Sequence, residues 1–120
     1  MDAVAQQIAE RLRDAPFVKV VTHIDTDGIT GGAIASEALA RAGIEHEIAF
    51  VKQLDEPTLT SIKREGRPLI WFVDLGAGML HAMHGLDAVI TDHHVPTERE
   101  VPKALRGDLL RFTESLDRVL

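Results

Sequence analysis

Apolar residues recur along this chain with two alternating periods, one near four residues and one near two. Val4, Ile8 and Leu12 stand four apart, which predicts an amphipathic helix over residues 2 to 14. Residues 17 to 22, a short β-branched run, predict a buried strand. Helical spacing returns over 29 to 42, with Ile34, Ala35, Ala38, Leu39 and Ala42 on one face and Gly43 as its stop. A second strand follows at 44 to 51, then a helix from Pro57 to Glu65 closed by Gly66. The most apolar strand is 69 to 73, followed by a short helix over 78 to 84 and a fourth strand at 88 to 91. Leu105, Leu109, Phe112 and Leu116 form one stripe, so the segment 102 to 120 predicts an amphipathic helix opened by Pro102.

Strands and helices alternating at these lengths predict right-handed crossovers. The fold class is α/β, an open, mostly parallel sheet of four or five strands with helices on both faces. No repeat or linker divides the chain. Two parts are expected, an α/β core over 1 to 96 and a C-terminal amphipathic helix over 97 to 120.

Composition narrows the function more than the fold. A chain of 120 residues with 45% hydrophobic and 27% charged residues suits one globular domain. No apolar run approaches the ~18 residues that cross a bilayer, and no basic leader precedes the first helix, so no membrane partner and a cytoplasmic location are expected. With no cysteine, a metal would be held by oxygen and imidazole. The net charge of -6 argues against binding nucleic acid through a broad basic face, but not against gripping phosphates through cations.

Chemistry-bearing residues gather in three clusters, each directly after a predicted strand. His23, Asp25, Asp27 and Gly28 follow the first; Asp74 ends the strand 69 to 73; Asp92, His93 and His94 end the strand 88 to 91. If the chain stays extended, His23, Asp25 and Asp27 project to the same side. Ligand sites of open parallel sheets form at the carboxyl ends of the strands, so the three clusters should share one cleft. Four Asp and three His without a basic residue among them are unfavourable together unless cations occupy the cleft. Two cations there would suit phosphoryl displacement. Gly28 would let the chain turn into a helix at about Ile29, whose free N–H groups could meet a phosphate.

Each piece alone has a plainer explanation. A single Asp before a helix is more often an N-cap, a lone His pair is more often surface, and Asp-Thr-Asp-Gly is also a turn sequence. The spaced acidic ligands of a calcium loop do not follow Gly28. His81 and His84 are expected to face solvent, His46 to sit on an exposed strand position, and Asp55-Glu56-Pro57 to cap a helix. The conjunction of three clusters at three strand ends carries the metal reading.

His23-x-Asp25-x-Asp27-Gly28, Asp74 and Asp92-His93-His94 resemble the first three motifs of the DHH phosphoesterase superfamily. The stretches 29 to 34, 51 to 54 and 73 to 78 are similar to the archaeal RecJ-like nucleases, the branch that includes the GINS-associated nuclease. The resemblance covers about residues 1 to 96. It implies two manganese ions, with magnesium as the substitute, one held by His23, Asp25 and Asp74 and the other by Asp27, Asp74 and His93. His94 would face the scissile phosphate, and Asp92 would orient the histidine pair.

By the same resemblance the substrate is single-stranded DNA or RNA, or a short oligonucleotide, cut progressively from one end. The family's fourth motif lies about fifty or more residues past the histidine pair, and its second domain carries a glycine-rich substrate motif. Here 26 residues follow His94, and Asp108 and Asp117 are too close to serve, so a fragment, a split protein or a shortened relative is expected. Two other readings remain: a non-catalytic scaffold, and a phosphoesterase for cyclic dinucleotides, nucleoside bisphosphates or pyrophosphate. The scaffold would contact a GINS-like replication protein, or a second copy, through the 102 to 120 stripe.

Overall fold

The computed structural model describes residues 3–92 with their side chains and the backbone of 109–112. Helix α1 (Ala3–Asp14) leads into β1 (Val18–His23), followed by α2 (Thr26–Arg41), β2 (His46–Val51), α3 (Glu56–Glu65) and β3 (Leu69–Val73). A single 3-10 turn at Leu80–Ala82 precedes β4 (Ala88–Thr91), and β5 (Leu109–Phe112) is the last described element. The strands form one sheet in the order β2-β1-β3-β4-β5, and every pairing is parallel. The fold is therefore α/β with helices on both faces, as the alternation of periods predicts. Among the described residues no helix is long and apolar enough to cross a membrane.

Side-chain alternation along the strands divides the core in two. Val18, Val20, Trp71, Val73 and Val89 point to the face covered by α1 and α2, packing with Ile8, Leu12, Ala35 and Leu39. Val21, Ile70, Phe72 and Ile90 point to the other face, against Leu59 and Ile62 of α3 and Leu80 and Met83 of the β3–β4 connection. Central β3 is covered on both sides, and all five of its residues are buried. That is why it reads as an unbroken apolar run. Thr91 Oγ1 accepts a hydrogen bond from Trp71 Nε1 at 3.0 Å, satisfying the one polar atom of the largest core side chain.

Four expectations are corrected. On α1 it is Ala5, with Ile8 and Leu12, that faces the core, while Val4 is exposed. Helix α2 begins at Thr26 and buries Gly28, Gly31, Gly32, Ala35 and Leu39, leaving Ile34 in solvent. Its glycines let the helix approach the sheet: a Cβ on Gly32 would stand 2.7 Å from Thr22 Cγ2 and 2.9 Å from Ile48 Cδ1. The short helix expected at 78 to 84 is only the 3-10 turn. Residues 109–112 extend the sheet beside β4 instead of continuing a helix. Leu109 and Leu110 are compatible with either period, and pairing with the open edge of β4 decides between them. The rest of the expected 97 to 120 helix lies outside the described residues.

Candidate metal centre

The strand order reverses direction at β1. Sequence runs from β1 outward to β2 on one side and through β3 to β5 on the other, so the crevice for a ligand lies above the carboxyl ends of β1 and β3. His23 is the last residue of β1, and Asp74 is the first residue after β3. These two positions face the switch point because the topology puts them there.

The turn after β1 is built by its own polar side chains. Asp25 is the N-cap of α2; its Oδ1 accepts from Gly28 N at 2.8 Å, satisfying one of the donors a helix start leaves open. The other carboxylate oxygen, Oδ2, lies 2.9 Å from His23 Nδ1. On the far side of the ring, His23 Nε2 is 2.5 Å from the carbonyl oxygen of Lys52, just past β2. The hydrogen bond to Asp25 is the main cause raising the His23 pKa; partial burial opposes it, and the Lys52 carbonyl and the charges of Asp25 and Asp74 add to it.

Because α2 starts at Thr26, the chain is not extended through Asp27 as the sequence suggests. Asp27 lies in the first helical turn, exposed, where a carboxylate also suits the helix dipole. Gly28 is likewise revised: its N–H is committed to Asp25. It is glycine because a Cβ there would stand 2.1 Å from the His23 carbonyl oxygen. Thr22 Oγ1 lies 2.8 Å from Gly28 O and 2.9 Å from Val73 O, joining the start of α2 to the ends of β1 and β3.

Asp74 is 3% exposed and takes a left-handed backbone, φ 62°, the one positive φ outside glycine among the described residues. Its N–H donates to Thr91 O at 2.8 Å. A buried carboxylate in a sparsely populated backbone region, at the end of a central strand, is the kind of outlier that concentrates at functional sites. Asp92 is also buried, and its Oδ2 accepts from Ala77 N at 3.1 Å, tying the loop after β3 to the end of β4.

His93 and His94 lie outside the described residues. Among those described, no three His, Asp or Glu side chains converge closely enough to hold an ion by themselves. The structure does bring His23 and Asp25 into direct contact and places Asp74 near enough for its charge to act on His23. His81 and His84 are exposed, as expected. His46 is half-buried, within 2.8 Å of Ser36 Oγ and 2.9 Å of Ile44 O, which corrects its reading as an exposed position. Asp55 caps α3 as its sequence predicts, accepting from Thr58 N at 2.9 Å. Sequence reasoning missed the Lys52 carbonyl and the Ala77 N–H, since backbone partners leave no trace in residue type.

No family model matches the chain. An uncharacterized protein of Methanocaldococcus jannaschii, MJ0831, is 29% identical over 106 residues, covering 83% of this chain and 24% of that protein. The single-stranded-DNA-specific exonuclease RecJ of Bacillus subtilis is 26% identical over 107 residues, covering 80% of this chain and 14% of RecJ. The chain thus spans a quarter or less of these relatives. Among solved structures, RecJ from Thermus thermophilus in complex with Mn2+ superimposes with a TM-score of 0.66 at 25% identity, over 90% of this chain and 16% of that one. CDC45 from Entamoeba histolytica shares the fold, with a TM-score of 0.71 at 15% identity, over 96% of this chain and 28% of that one.

Proposed function

We propose, from the premise that this chain is a RecJ-like DHH domain, that it hydrolyses phosphodiesters of single-stranded DNA or RNA with manganese as its cofactor. The observation that carries the proposal is the placement of Asp74. A buried carboxylate in a left-handed backbone sits at the switch point, across from the bonded pair His23–Asp25. The donors there are carboxylate oxygen and imidazole nitrogen, a set that fits manganese or magnesium. The negative charge that raises the His23 pKa is the charge a divalent cation would neutralise.

In this reading His23, Asp25 and Asp74 hold one ion, and Asp27, Asp74 and His93 hold the second. When bound, the ions lower the pKa of a water and offset charge on the phosphoryl oxygens. The chain's own residues do the positioning. Asp25 is fixed by capping α2, so it can present only Oδ2 to a ligand while the cap lasts. His23 is held between Asp25 and the Lys52 carbonyl, and must release one ring nitrogen to ligate. Asp92 braces the loop after β3 through Ala77, and would thereby orient the histidine pair that follows it. His94 would face the scissile phosphate.

A non-catalytic scaffold is the second reading, favoured by the fold that the chain shares with CDC45 from Entamoeba histolytica. The test is to incubate the chain with a 5'-labelled single strand, in manganese and in chelator, beside Asp74→Asn. Manganese-dependent shortening that the variant loses is the expected result, and its ladder gives the polarity. Manganese binding without cleavage, or cleavage retained by Asp74→Asn, overturns the assignment. A nucleoside bisphosphate or cyclic dinucleotide hydrolysed in place of the strand would move the substrate to a small phosphate compound.

A further inference from the structure

The carboxyl end of the sheet is acidic, with one exception among the described residues. Arg11 and Arg13 end α1, Arg41 ends α2, Lys63 and Arg64 end α3, and Lys19 and Arg67 lie at the starts of β1 and β3. All seven stand at the amino end of the strands, where Lys19 bonds Glu65 at 2.6 Å and Arg11 pairs with Asp87. The described Lys or Arg at the other end is Lys52, exposed on the residue after β2. Its carbonyl oxygen is the His23 partner, so its backbone is held against the candidate centre.

Two residues before it stands Phe50, 47% exposed, whereas Trp71 and Phe72 are buried. Edge strand β2 turns its even-numbered side chains toward α2: His46 meets Ser36, and Ile48 meets Gly32. Two strand residues advance by one helical turn, so the register carries Phe50 to the level of Gly28, beside exposed Ile29. Phe50 also pairs in register with Thr22, the neighbour of His23, and Ile24 N donates to Val51 O at 3.1 Å. Ile24, Ile29 and Phe50 are thus three exposed apolar residues on the segments that meet at the carboxyl ends of β1 and β2, the end that also carries Lys52.

An aromatic face and one cation at the rim of a phosphoester site complement one nucleotide, base on the ring and phosphate on the ammonium. The geometry points to a nucleotide subsite in which Phe50 stacks a base of a single strand while Lys52 holds the adjoining phosphate. This inference rests on the proposed nucleic-acid substrate, and it assigns the end of β2 as the surface over which the strand enters. A base needs only a π face, so the subsite tolerates every sequence.

The test reads binding, not hydrolysis. The chain is titrated with a fluorescein-labelled oligothymidylate in manganese over a range of salt, beside Phe50→Ala, Phe50→Trp, Lys52→Ala and Lys52→Arg. Stacking predicts that Phe50→Ala weakens binding by about 5- to 100-fold with an unchanged salt slope, and that Phe50→Trp restores it. A phosphate contact predicts that Lys52→Ala makes the slope shallower by about 0.7, and that Lys52→Arg keeps it. Wild-type affinity in Phe50→Ala overturns the subsite, as does a wild-type chain that binds no oligothymidylate. So does a Phe50→Ala effect confined to self-association in sedimentation, which would make Phe50 a protein contact. Binding with these signatures but without hydrolysis would leave the subsite standing and overturn the enzyme.

Discussion

His23 and Asp25 are bonded to one another, Nδ1 to Oδ2 at 2.9 Å, while the second oxygen of the same carboxylate caps α2. One side chain therefore sets both the start of the helix and the protonation of the imidazole. Asp25→Asn should bring the His23 pKa down toward its ordinary 6.5, because the first cause of its elevation is removed. Since the folded value is raised, the stabilisation from this pair is complete below about pH 6.5 and is lost as pH climbs through the folded pKa. The pair is partly exposed, so its whole contribution is under about 1 kcal/mol. An NMR titration of the ring checks the shift, and an unchanged pKa in Asp25→Asn would refute the assignment.

Gly28 and Gly32 are predicted to differ in their intolerance of a methyl group. At Gly28 the new Cβ meets the backbone of His23, at 2.1 Å from O and 2.6 Å from C, and that backbone is pinned inside the sheet. At Gly32 it meets the side-chain ends of Thr22 and Ile48, which can shift. Gly28→Ala should cost about 3 kcal/mol or more, and Gly32→Ala about 1 to 2 kcal/mol. Urea unfolding of the two variants measures both, and equal costs would mean that α2 shifts away from β1 as a unit.

The same two glycines explain where sequence reading succeeds and where it stops. Strands β3 and β4 are legible to the residue because burial on both faces leaves nearly unbroken apolar runs, Thr91 being the one polar residue among them. The face of α2 is misread because an apolar-period search favours Ile34 over Gly31 and Gly32, although close approach to the sheet selects the glycines. His46 is misread because its partners Ser36 and Ile44 are brought to it only by the β1–α2–β2 crossover. Asp25, Asp74 and Asp92 lie just past the ends of β1, β3 and β4, where the sequence puts them, because strand ends and carboxylates are both visible in sequence. The left-handed turn at Asp74 is not read from the sequence, because the Thr91 carbonyl that accepts its N–H is brought to it by the pairing of β3 with β4. Leu109–Phe112 fails for the opposite reason, a helical stripe whose residues pair with β4.

Asp55 gives a pH dependence of the opposite sign from His23. Its carboxylate accepts from the Thr58 hydroxyl at 2.6 Å and from Thr58 N at 2.9 Å, and these bonds hold its pKa below the ordinary 3.8. The cap therefore stabilises α3 fully above about pH 4 and loses that contribution as pH falls through the lowered folded value. Asp55→Ala should lower the melting temperature at neutral pH, and the gap to the unsubstituted chain should close in acid. A gap that persists at pH 2 would mean that the residue acts through packing and not through its charge.

Asp74 is where fold stability and metal binding should separate. Its carboxylate is buried, and its left-handed backbone is one that Asn adopts as readily as Asp and far more readily than branched residues. Asp74→Asn keeps the shape and removes a buried charge, so without metal its melting temperature should equal or exceed that of the unsubstituted chain. Manganese reverses the order. A ligand at a hundred times its Kd stabilises the protein that binds it by about 2.7 kcal/mol, and Asp74→Asn should gain far less because the carboxylate shared by both proposed ions is gone. Asp74→Gly, which relieves the backbone without restoring a ligand, should match Asn in losing the manganese gain. Thermal melts with and without manganese read all three proteins. An equal manganese shift in Asp74→Asn would remove Asp74 from the metal centre, while a large loss of metal-free stability in both variants would make it a structural residue instead.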